Sequence, residues 1–203
     1  MTNIAIPFEV FASFQRLPEA SPLFTCQPSE WAAAAHTVVH EDVVHYIWAL
    51  RKEDGRWFLM HSQAPVEDPA AVTHDPRNPV VVPAETGSFD DYVVEYPCPF
   101  FNPHDGKYCM YYLGRRKQIP KQTGLMVMEN NDFGQWRRVS TEPVIAAEFS
   151  YEEQGSSHPS VAVDGDRIHL IYTGEARGNG QPNYPYNTPT ICHATARLDD
   201  PAR

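Results

Sequence analysis

Three stretches of the chain repeat one order of apolar and polar positions: a short apolar run, an acidic or glycine-containing turn, then a longer aromatic run. They read AAHTVVHEDVVHYIWALRK, PFFNPHDGKYCMYYLG and SSHPSVAVDGDRIHLIYTGEAR. Each predicts two strands joined by a tight turn, because Asp-Gly or a similar pair between β-rich runs is a strong hairpin signal. The middle copy is the clearest. Phe100, Phe101, Tyr108, Tyr111 and Tyr112 suit a pleated, half-buried surface, and Asn102-Pro103-His104-Asp105-Gly106 supplies the turn. Val39, Phe100 and Val161 hold equivalent places at equal intervals of 61 residues.

Each hairpin is followed by a third apolar run: RWFLMHSQ, TGLMVMEN and TICHATARL. The first two units then end in HDPRNPVVVP and QWRRVSTEPVIA, short outer strands closed by Pro, while the third stops at LDDPAR. About four strands per unit, repeated at a fixed interval, predict the blades of a β-propeller. The expected architecture is all-β in a single domain, with an extension over 1–30, blades over 31–83 and 84–147, and a partial blade over 148–203. Within the extension, Ser29 ahead of Trp31 and a run of alanines allows a capped helical turn, with extended chain from His36.

Composition narrows the class further. Nineteen Pro and eleven Gly favour turns over long helices. A formal net charge of −10 disfavours nucleic acid and anionic membranes as partners. No apolar run approaches the ~20 residues of a membrane span, and the N-terminal stretch lacks a basic segment followed by a long apolar core, so a cytoplasmic location is the expectation. The four cysteines, Cys26, Cys98, Cys109 and Cys192, form no C-x-x-C pair, which argues against a zinc cluster. His36 and His40 share a strand face but lie roughly 13 Å apart at ~3.3 Å per residue, too far to bind one ion. His74-Asp75-Pro76 reads as a turn.

The segments GSFDDYVVEYPCPFFNPHDGKYCMYYLG, TGLMVMENNDFGQWRRVSTEPVI and HPSVAVDGDRIHLIYTG resemble the five-bladed β-propeller glycosidases, glycoside hydrolase families 32, 43, 68 and, more distantly, 130. The resemblance covers roughly residues 31–203 and about three of five blades. It implies an incomplete ring, finished by a missing segment or by another chain in a homo-oligomer, and a carbohydrate or oligosaccharide as partner. It implies an axial active site fed by the starts of the innermost strands, and no cofactor; calcium occurs in some relatives, but no cluster of oxygen ligands for it is visible here.

The resemblance carries one catalytic position over: Glu95-Tyr96-Pro97 matches a Glu-x-Pro context for the general acid, with Asp90 and Asp91 at the acidic site just before it. His36 and His158 are expected to start inner strands and to orient a sugar beside Tyr96. Tyr184, in the loop GNGQPNYPYNTP, is a candidate for stacking on a sugar ring. Each has a structural alternative: Glu95 or the aspartates as caps of their own loop, the histidines as satisfied framework residues, the tyrosine loop as a surface insertion. The first and third units lack acidic residues at the matching places, so a non-catalytic glycan-binding or self-assembling propeller piece is the alternative function.

Overall fold

The computed structural model describes residues 23–117, 120–177 and 187–203. It is all-β, with three antiparallel meanders laid side by side as in part of a five-bladed propeller. The first contains β1 (Trp31–His40), β2 (Val43–Arg51), β3 (Trp57–Pro65) and β4 (Thr73–His74). The second contains β5 (Val93–Asn102), β6 (Lys107–Arg115), β7 (Gln122–Met128) and β8 (Trp136–Arg138). A 3-10 turn, Ser150–Glu152, leads to the third, β9 (Gly155–Asp164), β10 (Arg167–Arg177) and β11 (Asn187–Arg197). The first two sheets touch through a single parallel bridge, Trp57 to Val93. The possible helical turn at Trp31 is not formed: the chain is extended from Trp31 onward and pairs with Arg51, so tertiary pairing overrides the helix propensity of the alanines.

The repeat is sharper than the residue pattern suggests, and its interval is 62 rather than 61. The inner strands β1, β5 and β9 each carry a bulge, with Ala34, Tyr96 and His158 in the left-handed region at φ of 50°, 49° and 54°. Pairing resumes at His36 opposite Ile47, Cys98 opposite Tyr111 and Ser160 opposite Ile171. Val38, Phe100 and Ala162 are therefore the equivalent residues. Val39, placed opposite its neighbours' core positions by the sequence pattern, points away and is 61% exposed. In a structure with a side-chain period of two, a slip of one residue reverses the face.

The middle meander is buried on both sides, which explains its aromatic richness. Tyr108, Met110 and Tyr112 pack toward the first meander with Ile47, Leu59 and Phe133. Cys109 and Tyr111 pack toward the third with Leu125, Ile168 and Leu170. Each fully buried side chain of this kind contributes roughly 1.5–3 kcal/mol. Gly124 admits the Tyr112 ring, since a Cβ there would lie 2.5 Å from it. The far face of the third meander has no such cover among the described residues. Ile171 and Ile191 are 40% and 78% exposed there, whereas their counterparts Ile47 and Leu59 are fully buried under the second meander.

Candidate functional site

The bulges place one end of each inner strand at a shared mouth. Ala33, Glu95 and Ser157 occupy the same position just before the bulge, opposite Ala49, Leu113 and Thr173. Glu95 is thus the one acidic side chain of the three. The bulge turns Tyr96 and His158 toward each other, with ring centroids 3.9 Å apart. Non-glycine residues with positive φ are uncommon and store strain, and a bulge re-aims side chains beside functional sites.

A polar cluster surrounds this pair. Lys121, at the start of β7, donates to both carboxylate oxygens of Glu175 at 2.7 and 3.0 Å. The Ser157 hydroxyl lies 2.6 Å from Glu175 Oε1 and 2.8 Å from Nδ1 of His158. Gly155 makes this possible: it sits at φ 129°, and a Cβ would lie 2.4 Å from the Lys121 backbone. The close approach brings β9 and β10 up to Lys121.

The environments drive the two glutamates apart. Burial pushes the Glu95 carboxyl up to about 7 against the pull of Lys121 and Arg115. No side chain hydrogen-bonds it among the described residues. Glu175 is also raised by burial, but hydrogen bonds from Lys121 and Ser157 outweigh that and hold it below its ordinary value. Burial and the nearby Lys121 lower His158, with Glu175 opposing, so its imidazole is neutral near pH 7. The mouth therefore combines a carboxyl that exchanges its proton near neutrality, a fixed carboxylate, an ammonium group and a neutral imidazole against an aromatic ring. Two titratable groups pushed in opposite directions are the usual basis for dividing acid and base roles.

The other residues singled out by sequence lie elsewhere. Asp90 is fully buried and accepts from the Tyr112 hydroxyl at 2.9 Å and from Arg138 Nε at 2.7 Å. The third meander repeats the device 62 residues on, where the Tyr172 hydroxyl donates to Glu152 at 2.6 Å. Asp90 is thus a loop-to-strand anchor, out of reach of the mouth. Asp91 accepts from the Gly87 backbone N–H at 2.9 Å and shapes its own loop. His36 is exposed on β1 but is equivalent to Cys98 and Ser160, not to His158, whose counterparts are Ala34 and Tyr96. Tyr184 lies outside the described residues. Lys121, Ser157 and Glu175 carry much of the site's electrostatics and were not singled out by sequence. The available signal was a glutamate inside the apolar strand IHLIYTGEAR.

Neither a protein-family model nor a curated protein matches this chain. Its fold does match solved structures. A family 117 glycoside hydrolase produced by Zobellia galactanivorans aligns with a TM-score of 0.65 at 15% identity, over 86% of this chain and 54% of its own. An α-L-arabinofuranosidase from Lactobacillus brevis aligns at 0.58 and 19%, over 80% and 52%. A β-1,2-mannobiose phosphorylase from Listeria innocua aligns at 0.61 and 12%, over 83% and 45%. The chain spans about half the length of these proteins, and at such identities the likeness establishes the fold: a partial five-bladed propeller.

Proposed function

We propose that the mouth around Glu95 binds a carbohydrate and that Glu95 donates a proton to the glycosidic oxygen. The observation that carries this reading is a half-buried carboxyl, free of hydrogen bonds to its neighbours, with a pKa of about 7. A general acid works best when its pKa lies near the operating pH. Tyr96 and His158 form the wall against which the sugar rests, and neutral His158 offers a hydrogen bond to a hydroxyl. Lys121, tethered by Glu175, stabilises negative charge as the leaving oxygen departs. Asp91 and His36 lie on flanking segments and, in this reading, contact outlying parts of an oligosaccharide. The solved neighbours include glycoside hydrolases and a glycoside phosphorylase, which supports the substrate class.

Hydrolysis of a glycoside needs a second carboxyl group across the bond, ~5–9.5 Å from the acid. Ala33 and Ser157 stand where the neighbouring blades would supply one. That favours a second reading: glycan binding without turnover by this chain alone, with the missing carboxylate and blade supplied by further sequence or a second copy. The exposed Ile171–Ile191 face is where such a unit docks.

The test is a panel of aryl and alkyl glycosides. Glu95→Gln lowers turnover of alkyl glycosides by about 10²–10⁴-fold and spares activated aryl glycosides, whose leaving groups need no proton. Saturable glycan binding without turnover in the parent chain selects the second reading. Full alkyl-glycoside turnover in Glu95→Gln overturns the acid role.

A further inference from the structure

At the opposite end of the strands lies a separate cavity of about 560 Å³ between the first two meanders. It is lined by a directed chain of polar groups that the Glu95 mouth does not use. Asp75 follows β4, and its Oδ2 lies 3.0 Å from Nδ1 of His61 on β3. Nε2 of His61 lies 3.1 Å from Nδ1 of His45 on β2. The His45 ring is stacked on Phe133 at 4.0 Å.

The proton positions follow from the partners. Asp75 is held well below the usual carboxylate range, first by its hydrogen bonds from Arg77, so it is ionised and can only accept. His61 therefore carries its proton on Nδ1. Because Arg77 already neutralises Asp75, His61 remains an uncharged imidazole with a lone pair on Nε2. His45 donates Nδ1–H to that lone pair, which leaves Nε2 of His45 as an acceptor. Burial, then His61 and His40, lower His45 to about 4 against Asp132, which agrees with a neutral ring. His45 Nε2 has no hydrogen-bond partner among the described residues.

The walls limit what fits. Arg77 commits Nε, Nη1 and Nη2 to Asp75 and Asp132, so it has little left to offer an anion. Glu41 at the rim adds negative charge. Gln63, Thr73 and Asn131 line the space and make no side-chain hydrogen bonds among the described residues. The volume lies in the range of small-ligand sites, ~300–1,000 Å³, where a few placed polar groups fix orientation.

We propose that this cavity binds a small, neutral, polyhydroxylated molecule, one of whose hydroxyl groups donates to Nε2 of His45. Asp75 and His61 are positioning residues, which fix the tautomer that makes His45 an acceptor. The site is independent of the Glu95 reading and stands or falls separately from it.

The experiment is long-range proton–nitrogen NMR on the full chain with ¹⁵N-labelled histidine, titrated with D-glucose, with sorbitol and with inorganic phosphate. The expected result is a free chain in which His45 is protonated on Nδ1. Glucose or sorbitol then shifts its Nε2 saturably, and phosphate does not. His45→Phe and Asp75→Asn weaken that binding about tenfold, while Glu95→Gln leaves it unchanged. Gln63→Ala, at a wall position outside the relay, weakens it without moving the histidine tautomers and guards against loss of fold in the other variants. A proton on His45 Nε2, no saturable shift with either polyol, or a response to phosphate alone overturns the proposal.

Discussion

Replacing Asp90 distinguishes an anchoring carboxylate from a catalytic one. Its side chain is fully buried, accepts from Tyr112 and Arg138, and leaves Oδ1 without a partner among the described residues. Arg138 also donates to the Val82 carbonyl at 2.7 Å, so one guanidinium ties the loop before β5 to the outer strand β8. Asp90→Ala strands a largely buried guanidinium and a buried phenol. Breaking such a pair costs about 3–5 kcal/mol. For a chain of this size each kcal/mol moves Tm by ~2–4 °C, so a fall of roughly 6–20 °C is expected by calorimetry. Tyr112→Phe removes one neutral donor to the carboxylate and costs about 1.5–3 kcal/mol, since hydrogen bonds to charged groups are worth that much. The double variant should cost less than the sum, because both changes act on one contact. The matching pair gives an internal control: Tyr172→Phe should fall by a similar amount through Glu152. An Asp90→Ala protein that melts like the parent but loses activity would refute the anchoring role and return Asp90 to the chemistry.

Three further outcomes follow from the same geometry. Gly124→Ala drives a methyl group into the Tyr112 and Phe89 rings and should destabilise the protein by about 1–3 kcal/mol in denaturant titration. Glu95, raised from 4.5 to about 7, binds its proton more tightly folded than unfolded. It therefore costs nothing below pH 4.5, and its penalty grows to about 2–3 kcal/mol above pH 7; Glu95→Gln should raise stability at pH 8 and leave it unchanged at pH 4. If the Ile171–Ile191 face seats a second copy, light scattering should show a dimer that Ile191→Asp converts to monomer with little change in Tm.

The three hairpins and their third strands are legible in the sequence because local turn chemistry and apolar runs determine them. Glu95 is legible for a related reason, as a carboxylate ahead of an aromatic strand. The one-residue slip at Val39 arises because the bulges at Ala34, Tyr96 and His158 leave no mark in residue type: none is glycine. Without them, His36 and His158 look equivalent and Asp90 looks as available as Asp91. The Asp90–Tyr112 and Glu152–Tyr172 pairs become visible only once the interval is known to be 62. Lys121 meets Glu175, and Asp75 meets His61, through strand pairing and loop packing across tens of residues. His74-Asp75-Pro76 therefore reads as a turn when it in fact begins a buried relay.

The central claim is that the fold keeps a protonated carboxyl at the propeller mouth near neutral pH. Carbon-13 NMR titration of the Glu95 side-chain carboxyl in the full chain measures this directly. The account predicts a midpoint near 7, shifting upward when Lys121 is replaced by Met and its positive charge is lost. A midpoint near 4.5, unmoved by that change, would contradict it.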